Sequence, residues 1–120
     1  MNYDFNYALA VFLDNVMNRY AAFDGRTSRR EFWHYVSIAF MISIALNILS
    51  AIPYLGAIFS LLSLLISLAL LLPGIGIAIR RMHDIDQSGI MVLIPLYNIY
   101  LACQPGTPRT NRFGPEPVKA

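Results

Sequence analysis

Five arginines, one histidine and one aspartate form a candidate site, and they fall in two short segments, 26–30 and 80–84. A guanidinium group presents a planar fork of donors that matches phosphate and carboxylate oxygens. One interpretation is an anion site for a lipid headgroup or an acidic partner. The other is a structural cluster in which arginines fix topology and pair with carboxylates such as Glu31. The candidate residues are Arg26, Arg29, Arg30, Arg80, Arg81, His83 and Asp84.

Catalysis has little support in the residue types present. Glu31-x-x-His34 has the spacing of a di-iron helix motif, but such sites need a second copy and further carboxylates, and the only other glutamate lies near the C-terminus. Cys103 has no identifiable base partner, and His83 and Asp84 are too close in the chain to converge readily on one metal ion. We expect no enzyme, no cofactor, no metal ion and no nucleic-acid partner.

A long uncharged stretch separates the two arginine segments. Residues 32–79 contain no Asp, Glu, Lys or Arg, although the chain has nine basic and seven acidic residues. A charged side chain is costly at the centre of a bilayer, and a helix needs about 20 apolar residues to cross one. The stretch therefore fits two crossings joined by a tight turn.

The N-terminal residues 1–23 carry bulky apolar side chains at spacings of three and four, which predicts an amphipathic helix. Such a helix either lies on the membrane interface or packs against the rest of its own protein. Its apolar stripe consists of Phe5, Leu9, Phe12, Val16 and Tyr20.

The remaining chain divides into a transmembrane domain at 24–104 and an irregular C-terminal tail at 105–120. Ser28 and Glu31 form a capping box that starts a helix near residue 29. Pro53 ends the first crossing, and the Pro73-Gly74 pair predicts a kink in the second. The three apolar segments are 32–52, 55–79 and 88–103.

The third apolar segment either crosses as a short helix or dips in and returns. Its 16 residues reach about 24 Å as a helix, against about 30 Å of hydrocarbon, and Pro95 interrupts it. A full crossing would place Arg109, Arg112 and Lys119 outside, which the positive-inside rule opposes. The predicted fold is thus an all-α integral membrane helical bundle, with a two-helix transmembrane hairpin, a short third membrane helix and an N-terminal amphipathic helix.

Small and polar residues are expected to pack the hairpin, because close backbone approach associates helices in lipid. We predict that a stripe on each crossing faces the other, and that Asn47 donates a hydrogen bond across. The alternative is that one stripe mediates self-association into a homo-oligomer. The stripes are Ser43 and Asn47 on the first crossing, and Gly56, Ser60, Ser63 and Ser67 on the second.

Three motifs in order along the chain resemble the domain-of-unknown-function 805 family, small bacterial inner-membrane proteins of the YhaH type. They are Phe-Asp-Gly-Arg-Thr-Ser-Arg-Arg-Glu-Phe-Trp at 23–33, Arg-Arg-Met-His-Asp at 80–84 with Ser-Gly at 88–89, and Asn-Arg-Phe-Gly-Pro-Glu-Pro at 111–117. The resemblance implies a plasma-membrane protein with several crossings and no established activity.

The function that follows is a non-enzymatic inner-membrane module that binds anionic lipid or a protein partner through an arginine-rich cytoplasmic face. Arginines flank the hairpin at both ends, while its turn has none. The N-terminus is therefore expected to be cytoplasmic. The alternative is a subunit of a membrane transport or envelope-stress system.

Overall fold

The computed structural model describes residues 2–117. Their regular structure is helical, apart from one isolated bridge between Asn111 and Gly114, so the all-α prediction is confirmed for these residues. In chain order the elements are α1 (Phe5–Met17), α2 (Arg29–Leu49), α3 (Gly56–Ala69), α4 (Leu71–Asp84), the 3-10 helix η1 (Gly89–Leu93) and α5 (Tyr97–Ala102).

Helix α1 is shorter than the predicted 1–23, and its buried side differs from the predicted stripe. Asp4 caps the helix, since its carboxylate accepts from the Tyr7 amide at 3.2 Å. The buried residues are Ala8, Val11 and Asn15, because small side chains let α1 lie close to α2. The outer side exposes apolar residues at a spacing of four: Phe5, Leu9, Leu13 and Met17.

His34 fastens the start of α1 to α2. Its Nε2 accepts from the Asp4 amide at 3.1 Å, and its Nδ1 lies 2.6 Å from the Arg30 carbonyl. Both ring nitrogens of His34 are therefore engaged by backbone groups. The Tyr3 ring stacks on it with the centroids 5.0 Å apart. His34 of the Glu31-x-x-His34 pattern therefore holds the start of α1 against α2.

Helix α2 begins where the capping box predicts. The Ser28 hydroxyl accepts from the Glu31 amide at 3.1 Å. The reciprocal half of the box is absent, because the Glu31 carboxylate turns to Arg19, 2.5 Å away. Ser28 therefore caps the start of α2. Glu31 instead pairs with Arg19 and so connects the segment after α1 to α2.

A tight turn at 50–55 joins α2 to α3, as Pro53 predicts. Tyr54 adopts a φ of 67°, and the Gly56 amide donates to the Ile52 carbonyl at 2.7 Å. A Cβ at Gly56 would overlap the backbone carbonyl of Ser50. The two helices pack against each other at this end because residue 56 has no side chain.

The predicted face-to-face stripes are wrong in part. On α3 the buried and half-buried residues include Gly56, Phe59 and Ser63, while Ser60 and Ser67 are exposed. On α2 the buried residue is Leu46, with Ser43 and Asn47 exposed. Larger apolar side chains thus contribute to the interface.

The cross-helix hydrogen bond predicted for Asn47 is also wrong. Its amide donates to the Ser43 carbonyl of its own helix at 2.9 Å. A polar side chain in a helix can reach the carbonyl one turn back, and this bond satisfies the amide without a partner helix.

The second apolar segment is two helices, and the break precedes the predicted kink. α3 and α4 meet at Leu70 with a bend of 43°, and α4 continues to Asp84, beyond the predicted end at residue 79. Proline excludes the hydrogen bond to the carbonyl four residues earlier, which for Pro73 belongs to Ala69. The Tyr20 hydroxyl donates to this carbonyl at 2.6 Å.

Replacing Tyr20 with phenylalanine is expected to lower the free energy of unfolding by about 1 kcal/mol, because the freed Ala69 carbonyl loses its donor. Equilibrium unfolding in mixed detergent micelles measures the change. In a Pro73→Ala background, where residue 73 regains its amide, the same substitution should cost less. An equal cost in both backgrounds would show that the hydroxyl does not compensate for the proline.

The third apolar segment is not one continuous helix, so the predicted short membrane helix over 88–103 is wrong in that respect. Pro95 lacks an amide donor, and the chain bends there between η1 and α5, with Leu96 at a φ of 66°. Asn98 spans the bend by donating to the Val92 carbonyl at 2.7 Å. The segment packs against α4 through η1 and again through α5.

Apolar side chains cover the outside of the helices. By length and composition, α2 could cross a membrane, and so could the bent α3–α4 pair if it is one span. α3 buries only Gly56, while Phe40, Ile48, Ile58 and Leu64 are all more than half exposed. The charged residues that are buried gather at the other end of the hairpin, beside the end of α4.

Candidate functional site

A cluster of buried charged side chains lies at the C-terminal end of α4. Arg80 and Arg81 are 1% and 0% exposed, Asp84 is 3% exposed, and Arg26 from the loop before α2 is 8% exposed. The loop is held there by the Thr27 amide, which donates to the Arg80 carbonyl at 3.0 Å. Buried charges are costly unless they are paired and hydrogen-bonded, so their partners decide what this cluster does.

One carboxylate joins two of the arginines. Oδ1 of Asp84 lies 3.0 Å from Nη2 of Arg26, and Oδ2 lies 2.6 Å from Nη1 of Arg81. Both guanidinium groups therefore share a single negative charge. The second positive charge is compensated by dipoles.

Backbone carbonyls of the C-terminal tail supply much of that compensation. Arg26 donates to the carbonyls of Thr107 and Arg109, both at 2.6 Å, and of Gly114 at 3.2 Å. Arg81 donates to the carbonyl of Gln104. An irregular segment leaves its carbonyls free for such bonds, so residues 104–117, which include the described part of the predicted tail, enclose the cluster.

The end of α5 is capped by the same group of side chains. Arg81 Nε and Trp33 Nε1 both donate to the Ala102 carbonyl at 3.1 Å. Arg29 donates to the Cys103 carbonyl at 3.1 Å. The last carbonyls of a helix have no intrahelical partner, and these three donors satisfy them.

Gly106 lets the tail close over Asp84. A Cβ at this position would overlap the Asp84 carboxylate. The adjacent Thr107 amide donates to the Asp84 carbonyl at 2.8 Å. A larger residue at position 106 would force either the Asp84 carboxylate or the tail to move.

His83 holds the third sequence motif on the second. Its ring stacks on Phe113 with the centroids 3.9 Å apart and the planes 3° apart. Its Nδ1 lies 2.9 Å from the Gly25 carbonyl, and the Asn111 amide donates to the His83 carbonyl at 2.9 Å. The three motifs at 23–33, 80–84 and 111–117 therefore form one packed unit.

Arg80 lies apart from Asp84 and has no carboxylate within ion-pair distance among residues 2–117. It donates to the side-chain oxygen of Asn15 and to the Gly76 carbonyl, the latter at 3.3 Å. Neither Nη1 of Arg80 nor the Tyr35 hydroxyl has a hydrogen-bond partner in the described chain. Arg80 thus joins α1 to α4 through Asn15.

The remaining two candidate arginines lie at the start of α2, outside the enclosed cluster. Arg29 is exposed and Arg30 is half-buried, with the Arg30 guanidinium 3.9 Å above the Tyr7 ring. They line a crevice of about 230 Å³ together with Ser28, Asp84, Pro105, Gly106, Thr107, Glu116 and Pro117. Of the seven candidate residues, these two are the cations that an outside ligand can reach without displacing the tail.

The pKa values of Tyr7 and Asp86, both at this end, are shifted from their ordinary values. Burial, and next the Glu31 carboxylate, raise the pKa of the Tyr7 phenol, while the Arg30 cation opposes the shift. Hydrogen bonds from Arg112 lower the pKa of the exposed Asp86 carboxyl. The Asp86–Arg112 pair fastens the tail at the surface.

All seven predicted site residues are therefore brought to one end of the molecule, and five of them are enclosed. The sequence interpretation missed the tail as their cover and missed Asn15 as the partner of Arg80. Asn15 has a detectable signal, since it follows Ala8 and Val11 at helical spacing. Every residue has a backbone carbonyl, so residue types alone could not identify the tail carbonyls that accept from these arginines.

The comparisons with known proteins agree with the three motifs. A family model described as "Protein of unknown function (DUF805)" matches residues 20–115. The inner membrane protein YhaI of Escherichia coli K12 is 34% identical in an alignment of 110 positions that covers 86% of this chain and 92% of YhaI. The inner membrane protein YhaH of the same strain is 33% identical over 112 residues, covering 85% and 92%. No solved structure matches. The chain belongs to the DUF805 family, whose function is unknown.

Proposed function

We propose that this chain is a multi-pass protein of the bacterial inner membrane, with its N-terminus in the cytoplasm. It acts without catalysis, as a membrane module that binds anionic lipid through the exposed arginines at the start of α2. The relatives YhaI and YhaH are named inner membrane proteins, which supports the location.

The distribution of side chains supports the membrane assignment most strongly. Polar and charged groups fill the interior beside the end of α4, while large apolar side chains cover the outside of α2 and α3. Water makes such a surface unfavourable, whereas hydrocarbon accepts it at no cost. The backbone of α2 and α3 is satisfied within each helix, as a lipid-exposed segment requires.

The position of the arginines supports a cytoplasmic N-terminus. Arg26, Arg29 and Arg81 contact backbone groups between residues 102 and 114, so the tail lies at the arginine end. The turn at 50–55 carries no charge. Positive residues accumulate on the cytoplasmic side, so the dip-and-return path leaves Arg109 and Arg112 on the side that the rule favours.

The crevice at Arg29 and Arg30 supports lipid binding at this face. Two cations occupy the first turn of α2, where the helix dipole disfavours positive charge. A phosphate in the crevice would relieve that repulsion, and basic pockets beside membrane helices bind anionic headgroups. The enclosed arginines contribute by holding the walls of the crevice in place.

Native mass spectrometry of the purified protein tests the proposal. The wild type should retain anionic phospholipid, and Arg29→Gln should reduce the lipid-bound fraction several-fold. Arg109→Gln is the matched control, because this exposed arginine contacts Arg26 through its backbone carbonyl only. An unchanged lipid-bound fraction in Arg29→Gln, or an equal loss in both variants, would contradict a specific site.

A further inference from the structure

An apolar cavity of about 530 Å³ lies between α2, α4 and the third apolar segment. Its lining includes Phe32, Trp33, Val36, Ala78, Met82 and Ile99. The polar side chain in the wall, Asn98, donates its amide to the Val92 carbonyl. The walls therefore offer hydrophobic contact and little hydrogen bonding.

We propose that this cavity receives one acyl chain of an anionic phospholipid whose phosphate lies at Arg29. The inference rests on the proposed function and deepens it, because it adds the lipid tail to the headgroup site. The volume lies within the range of about 300–1,000 Å³ typical of ligand pockets. Ile99 in the cavity wall is 54% exposed, so the cavity adjoins the apolar outer surface.

Arg29 links the cavity to the polar crevice. Its guanidinium donates to the Cys103 carbonyl, one residue after Ala102 in the cavity wall. Trp33 of the wall follows Arg29 by four residues on α2, so the two lie on the same side of the helix one turn apart. A phosphate on Arg29 would therefore leave an attached acyl chain beside Trp33.

The dimensions favour a lipid chain over a helix from a protein partner. An α-helix with side chains is about 10–12 Å across and rises 5.4 Å per turn, so a volume of 530 Å³ holds little more than one turn. A single file of methylene groups fits a narrow space more readily. The positive charge of Arg29 also complements the negative charge of a lipid phosphodiester.

Trp33 is the only tryptophan in the chain, so its fluorescence reports on the cavity. The protein is reconstituted in vesicles that contain a small fraction of phospholipid with brominated acyl chains, bearing either phosphatidylglycerol or phosphatidylcholine headgroups. Bromine quenches tryptophan on contact. Half-maximal quenching should need at least threefold less of the anionic lipid, and Arg29→Gln should bring this ratio to about one.

Two variants separate the site from general effects. Arg109→Gln should keep the headgroup preference, because it changes the charge of the same face away from Arg29. Ala78→Phe should remove the preference by filling the cavity. The proposal would be overturned if both lipids quenched the wild type equally, or if the preference for the anionic lipid survived Arg29→Gln. It would also be overturned if a protein partner shielded Trp33 from both lipids. Anionic lipid retained in mass spectrometry with no preference in quenching would leave the headgroup site intact and refute the acyl-chain site alone.

Discussion

Asp84→Asn is expected to lower the free energy of unfolding by about 3–5 kcal/mol, the usual cost of removing one partner from a buried ion pair. The substitution keeps the shape of the side chain but leaves Arg26 and Arg81 enclosed without a negative charge. Both guanidinium groups contact this one carboxylate. Unfolding in mixed micelles of mild detergent and dodecyl sulfate measures the loss. Tryptic cleavage after Arg109 should also accelerate, because the tail is released.

Asp86→Asn is the matched control for this experiment. Asp86 lies two residues further along the chain and pairs with Arg112, and the two side chains are 43% and 65% exposed. Exposed ion pairs contribute little to stability, so the variant should unfold close to wild type. If Asp84→Asn also unfolded like wild type, the buried carboxylate would not hold the cluster together.

Gly56→Ala is expected to destabilise the protein by about 1–3 kcal/mol, the usual cost of overpacking. The added methyl group would overlap the Ser50 carbonyl, which belongs to the turn and cannot rotate away as a side chain could. The turn must open, and α3 must move away from α2. The same unfolding experiment measures the loss.

Gly74→Ala provides a control with the opposite expected sign. A Cβ at this position meets nothing within 4 Å, and alanine in a helix is favoured over glycine by about 0.5–1 kcal/mol. This variant should be as stable as wild type or slightly more stable. If the two variants lost equal stability, the close approach at Gly56 would not explain the effect.

Local rules located several elements of this fold from the sequence. The capping box starts α2 at Arg29, and Pro53 lies in the turn that follows it. Pro73 correctly indicates a bend. The break falls at Leu70 because Pro73 leaves the carbonyl of Ala69, four residues earlier, without its helical hydrogen bond. Applying this rule to the sequence would have predicted the position of the break. Short-range chemistry of this kind is encoded in residue type.

The packing of helices and the enclosure of the arginines depend on groups that residue type does not reveal. Arg26 is satisfied largely by backbone carbonyls of the tail, which every residue possesses. The prediction for the stripe of small residues failed in part. The buried and half-buried side of α3 includes residues 56, 59 and 63, while Ser60 and Ser67 beside it are exposed.

We propose that the apolar outer surface of the helices faces hydrocarbon, with the enclosed arginines on the cytoplasmic side. The most direct test is labelling of single cysteines with a membrane-impermeant maleimide in a Cys103→Ser background. Tyr54→Cys should react in intact spheroplasts, Arg109→Cys only after the membrane is opened, and Leu64→Cys only after detergent is added. Leu64 is 55% exposed, so the protein itself does not shield that position. Reaction of Leu64→Cys in aqueous buffer without detergent would contradict the account.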